Sequence, residues 1–163
     1  MSRFLFGFIV FIGATAAAAA AEPFAIDLEV RSGKASQTAH AQSAVPDAEL
    51  PKRPVLEIKA GDRVTVKWKM TTTDPTTKIE NVTVHFFAVK EEMAGQKAVP
   101  KLTQGVTAES ACTLDFGPKE RNEAELTFTL EAPGSYLFRV ETLGASAVAV
   151  DHEDFAAIDV IAH

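Results

Sequence analysis

Hydrophobicity in this chain repeats every second residue, and that period fits β-strands with one face on a core and one in water. Phe24, Ile26, Leu28 and Val30 alternate with Ala25, Asp27, Glu29 and Arg31. Val64, Val66, Trp68 and Met70 alternate with Arg63, Thr65, Lys67 and Lys69. The same rhythm sets Ala124, Leu126, Phe128 and Leu130 against Glu123, Glu125, Thr127 and Thr129, and Tyr136, Phe138 and Val140 against Leu137, Arg139 and Glu141. One-sided strands suit antiparallel sheets, which tolerate a wet face. No window after the first 21 residues carries a helical stripe. The expected class is all-β.

Turn residues punctuate the same runs. Ala60-Gly61-Asp62, Asp74-Pro75, Gly117-Pro118 and Pro133-Gly134 supply the positive or preset φ that tight connections require. About eight strands result, near 24–31, 54–60, 63–70, 79–90, 106–116, 123–131, 135–143 and 155–161. An open sheet of that size would leave one apolar face wet, so the pattern predicts an antiparallel two-sheet sandwich of about seven or eight strands. Two connections are long. Residues 32–53 are rich in Ser, Ala, Gln and Pro and are expected to form a surface loop, with a short edge strand as the alternative. Residues 91–105 (EEMAGQKAVPKLTQG) are expected to project from one end, where contacts concentrate. In 79–90, Phe87 and Val89 lie opposite Val82, Val84 and Phe86, so this strand is either covered on both faces or bulged at Phe86–Phe87.

The first 21 residues read as an address. Arg3 precedes a nine-residue apolar run, Phe4–Ile12, and then Gly13, Thr15 and the alanine tract Ala16–Ala21. That order matches a cleaved secretory signal, and the run is shorter than the roughly 20 strongly apolar residues of a membrane span. The expected organisation is a leader over 1–21 and one domain over 22–163, secreted or periplasmic, with no stable membrane span after cleavage. Cleavage removes Arg3 and no acid, so a formal charge of −6 becomes −7. That acidity argues against nucleic acid, which needs a cationic face. The single thiol, Cys112, leaves no internal disulfide; it lies on one strand face with Val106, Ala108, Ser110, Leu114 and Phe116 and is expected to be a small buried hydrophobe.

Three segments carry a resemblance. Gly61-Asp62-Arg63-Val64-Thr65-Val66-Lys67-Trp68, Asn81-Val82-Thr83-Val84-His85-Phe86 and Phe128 through Phe138, with its Pro133-Gly134-Ser135-Tyr136 turn, are similar to the skeleton of immunoglobulin-like and cupredoxin-like β-sandwiches. In cupredoxins, the strand opened by such a turn delivers the copper-binding Cys. Here Leu-Phe-Arg-Val-Glu-Thr follows Tyr136, and no Met follows Cys112 in the chain, so the blue-copper ligand set is absent. The resemblance implies the fold without that chemistry, and no cofactor is expected.

Other chemistry is sparse. Asp151-His152-Glu153-Asp154 concentrates carboxylates around an imidazole, and His85, His40 and His163 are further candidate ligands. His85, His152, Asp151 and Asp154 therefore form the candidate metal set, weighed against a solvated acidic loop. No Gly-x-Ser-x-Gly elbow or glycine-rich phosphate cradle is present. Arg63, Lys67 and Lys69 make a basic stripe, with Lys59 and Lys90 as possible neighbours, and Glu123, Glu125 and Glu131 make an acidic one. If the two strands are adjacent, these are cross-strand pairs. The expected role is a non-enzymatic binding or structural module facing another envelope protein or surface polymer. The alternative is a cupredoxin-like metal-handling protein using His and carboxylate ligands.

Overall fold

The computed structural model describes residues 24–41, 52–73, 75–96, 99–143 and 154–163. The leader 1–21 lies outside the described residues, as do Asp151 and His152 of the candidate metal set. Nine strands are described: β1 (Phe24–Ser32), β2 (Ala35–His40), β3 (Val55–Ile58), β4 (Arg63–Thr72), β5 (Ile79–Glu91), β6 (Val106–Phe116), β7 (Arg121–Thr129), β8 (Gly134–Leu143) and β9 (Phe155–Ala162). They form two sheets, ordered β2-β1-β4-β7 and β3-β9-β8-β5-β6. The fold is an all-β two-sheet sandwich.

The ninth strand corrects the loop expected over 32–53. Ser32-Gly33-Lys34-Ala35 turns β1 back on itself, and β2 pairs along it from Ser32↔Ala35 to Asp27↔His40. Its polar sequence, Ala-Ser-Gln-Thr-Ala-His, hides the alternation because an edge strand need bury very little; Ala39 alone reaches the core. The remaining pairings are antiparallel except β3 with β9, which run parallel. Placing β4 and β7 in one sheet, and β5, β8 and β9 in the other, matches the partition of an immunoglobulin-like sandwich. Tyr136 near the start of β8 adds a further mark of that architecture, its hydroxyl donating to the Ala132 carbonyl at 2.8 Å across the Pro133-Gly134 turn. Gly134 itself has φ 141°, which only glycine adopts without strain, and a Cβ there would meet the Lys90 side chain.

The predicted inward residues fill the core. Ile26, Leu28, Val64, Val66, Trp68 and Met70 meet Val84, Phe86, Phe138, Val140, Ile158 and Val160. Trp68 stacks on Phe86 across the two sheets (centroids 5.4 Å, 11°), and Phe138 meets Phe86 edge-on and Phe128 at a tilt. β5 takes the first of its two expected forms. It lies between β8 and β6, and Phe87 and Val89 are as buried on the outer face as Phe86 and Ala88 are on the inner one. Its register shifts fall at Ile79/Val82 and Ala88/Val89, not at Phe86–Phe87.

The two outer faces differ in kind. On the four-stranded sheet β4 does neighbour β7, placing Lys67 opposite Glu125 and Lys69 opposite Glu123. His40, Asp27 and Lys69 continue the row (2.6 and 2.9 Å), and Arg121 binds Glu123 at 2.8 Å. The basic and acidic stripes therefore interlock as a solvated lattice of individually weak pairs. Lys90 is not part of it, since it belongs to the other sheet and reaches Pro133 O and the Tyr136 ring. The five-stranded sheet instead buries Phe87, Val89, Leu137 and Ala157 on its outer face, with Val106 and Phe155 packed against them.

The burial expected for Cys112 is corrected. The thiol stands in register with Val84 as the facing predicts, but β6 is the outermost strand of the larger sheet, and on it Cys112 is exposed, Ser110 half-buried and Phe116 buried.

Candidate functional site

Apolar exposure is confined to two segments that leave the five-stranded sheet, the β5–β6 connection and the start of β3. Among the described residues the exposed large hydrophobic side chains are Met93 (64 %), Val99 (42 %), Val55 (40 %) and Leu102 (37 %). Three belong to the connection from β5 to β6, which was expected to project. The fourth opens β3, where Val55 sits opposite Asp159 of β9. Gly95 lies beside the Asp159 carboxylate, where a Cβ would come within 4.0 Å of Oδ2, and Lys90 N–H donates to Gly105 O at 2.9 Å, so the connection returns to the same end of the sheet.

Beneath this end lie three buried charges. Arg53, just before β3, sets Nη2 3.1 Å from Glu91 Oε2 and Nε 2.6 Å from Asp159 Oδ1. The second approach is a charge–charge contact, not a directed hydrogen bond. Asp159 N–H also donates to Pro54 O at 2.9 Å, fixing the segment that carries Arg53. One guanidinium faces two carboxylates, so the group balances only with one proton shared among them. Burial, the largest influence, raises Glu91 to about 7, with Arg53 opposing and Asp159 reinforcing the rise. Burial likewise raises Asp159, against Arg53 and the Gly95 amide.

A second polar group lies farther along the same face. His85 Nδ1 is 3.2 Å from Glu141 Oε1, and its Nε2 is 2.8 Å from Glu109 Oε1. Arg139 Nε approaches Glu141 Oε2 at 2.6 Å while its guanidinium covers the Phe155 ring at 4.0 Å. These residues sit in register on neighbouring strands, His85 opposite Glu141 and Phe87 opposite Arg139.

The structure places the sequence-derived candidates separately. His85 is engaged by Glu109 and Glu141, His40 by Asp27 and His163 by Glu57 at 3.7 Å. Asp154 is buried where β9 begins and accepts the Phe24 N–H at 3.1 Å, an anchor between the sheets. No group of three or more His, Cys, Asp or Glu suited to a metal ion occurs among the described residues. An open groove of about 530 Å³ between the β1–β2 turn, the end of β3 and His163 is lined by charges of both signs, among them Lys34, Lys59, Glu57 and Asp62. Arg53 and Asp159 were not singled out from sequence, where the pair Glu91-Glu92 reads as exposed charge; Glu91 is buried. The available signal was an acid in the apolar run Phe155–Ala162, a face position that alternation would bury.

No helix among the described residues is long and apolar enough to cross a membrane. No protein-family model matches the chain, and no curated protein matches it. Among solved structures the chain is similar to the CARDB domain of a Pyrococcus furiosus protein determined in complex with di-metal ions, at 12 % identity and a TM-score of 0.46, covering 86 % of this chain and 96 % of that one. It is also similar to a family 123 glycoside hydrolase from Clostridium perfringens (12 % identity, TM-score 0.44, 71 % of this chain). A third likeness is to a β-glucosidase from Listeria innocua (16 % identity, TM-score 0.30, 83 % of this chain). The match spans 24 % and 16 % of those two hydrolases.

Proposed function

We propose that this chain is an exported, non-enzymatic β-sandwich module that docks a protein of the cell envelope through the end of the sheet formed by the start of β3 and residues 92–105. The carrying observation is that the exposed large apolar side chains among the described residues all belong to two segments, Met93, Val99 and Leu102 to the β5–β6 connection and Val55 to the start of β3. Clustered apolar exposure rimmed by polar residues marks interaction surfaces. Aliphatic and thioether side chains gain most by burial against apolar protein surface, which favours a protein over a hydrophilic surface polymer. The non-enzymatic reading is supported by the engagement of His85, Arg139 and Arg53 with carboxylates that hold them in place. Export rests on the leader-like order of residues 1–21.

The test is capture from the organism's own envelope fraction with the Glu22–His163 protein, comparing wild type with the double variant Met93→Asp/Leu102→Asp. Each buried apolar side chain is worth about 1.5–3 kcal/mol, so the double variant should lose at least 100-fold in affinity for the captured protein. Its melting temperature should stay within about 2 °C, since both residues are exposed. A Lys67→Ser control on the opposite sheet should bind as wild type does. Equal capture by the double variant, or none by wild type, rejects the reading.

A further inference from the structure

The buried charges beneath the docking end ask for an explanation of their own. A connection that only displayed apolar residues would gain nothing from two carboxylates and a guanidinium sealed at its root, because removing charges from water costs more than surface pairing returns. Arg53 comes from the segment before β3, Glu91 is the last residue of β5 and Asp159 lies in β9, so the group ties together the segments that carry Val55 and Met93. The charged groups facing Glu91 are Arg53 and Asp159. β8 offers the neutral Ser135 in register, β6 begins with the apolar Val106, and Lys90 turns to the other side of the sheet toward Pro133.

We infer that Arg53, Glu91 and Asp159 form a proton-sensitive latch that holds residues 92–96 and the start of β3 against β9 when Glu91 is protonated and releases them when it ionises. This rests on the docking reading, since what the latch would regulate is that surface. With Glu91 protonated, its carboxyl donates a hydrogen bond to the Asp159 carboxylate, Arg53 neutralises Asp159, and the group carries no net charge. Gly95 then stays packed beside Asp159. With Glu91 ionised, two carboxylates face one guanidinium and a buried negative charge is left over. Swinging Glu91 into water relieves it, and residues 92–95 move with the strand end.

The sign follows from linkage. Glu91 binds its proton more tightly with the latch closed, at about 7, than in water at 4.5. Opening therefore becomes easier as pH rises through that interval, by up to tenfold per unit, and levels off above it. Hydrogen exchange of the whole chain between pH 5 and 8.5, corrected for the intrinsic chemical rate, reads this directly in the amides of 92–96. The expected opening constant rises at least 30-fold from pH 5 to 7 and changes less than threefold from 7.5 to 8.5. Glu91→Gln, which keeps the shape and the hydrogen-bond donor, should stay flat at the protected level throughout. Asp159→Asn, which removes one of the groups raising Glu91 and leaves Arg53 opposing burial alone, should move the rise to lower pH. A pH-independent wild type, or a Glu91→Gln variant that follows the wild-type curve, overturns the latch. The measurement uses no partner, so a failed latch leaves the capture result standing, and failed capture by wild type leaves the exchange result standing.

Discussion

Replacing Arg53 with methionine is expected to lower the unfolding free energy by about 3–5 kcal/mol at pH 8 and by about 1–2 kcal/mol at pH 5.5. Methionine fills much of the same space, so the loss is one of charge. At pH 8 the substitution leaves Glu91 and Asp159 buried without the cation that faces both, and breaking a buried pair from one side strands the other. At pH 5.5 Glu91, raised by burial to about 7, holds its proton, and the Asp159 carboxyl is also raised by burial, so less charge is left uncompensated. The wild-type protein shows the same sign in weaker form. A Glu91 value raised from 4.5 to about 7 means that this group's contribution to stability is fully present below pH 4.5 and falls as pH rises through that window, by up to about 3 kcal/mol. Urea unfolding at the two pH values checks both statements. Equal destabilisation of Arg53→Met at pH 5.5 and pH 8 would show that packing, not charge balance, holds this end of the sheet.

The second large effect belongs to the core. Phe86→Ala should cost about 3–5 kcal/mol, because its ring is fully buried and bridges the sheets. It stacks on Trp68 of β4 and meets Phe138 of β8 edge-on, and Phe138 continues to Phe128 of β7. Removing the ring leaves a cavity that rigid sheets on either side cannot collapse, and loses the offset-stacking and edge contacts as well. Against a total stability of about 5–15 kcal/mol, that is enough to populate unfolded chains at moderate temperature. Chemical denaturation measures the loss, and the emission of Trp68, the one tryptophan, should shift to the red in the native state of the variant. A loss under about 1.5 kcal/mol with unchanged emission would mean that the sheets close over the gap. Phe86→Leu, which keeps most of the volume, should cost less than half as much.

The aromatic bridge was legible in outline and the latch was not. Trp68, Phe86, Phe128 and Phe138 each fall on the apolar side of an alternating run, so their facing follows from local sequence. The interlocked charge rows on β4 and β7 were legible too, because each stripe lies on the polar side of its strand and only their adjacency had to be supplied. β2 was only the alternative to a loop because an edge strand carries no apolar pattern, and Cys112 was misjudged because facing does not reveal that a strand lies at the edge of its sheet. His85 was visible as a single imidazole, but its partners Glu109 and Glu141 stand 24 and 56 residues away.

What the sequence by itself determined is which side of each strand is dry, since side-chain direction alternates with the backbone and needs no neighbour to fix it. That was sufficient for two layers, their turns and a long connection between β5 and β6. Only the tertiary structure decided which strands lie side by side, because pairing order is settled by closure of the whole sandwich rather than by any one run. That order brings Arg53, Glu91 and Asp159 together from β3, β5 and β9, and sets Val55 beside the connection that carries Met93. Three charges spread over more than a hundred residues leave no local pattern, and their meaning appears only once the protein has taken them out of water.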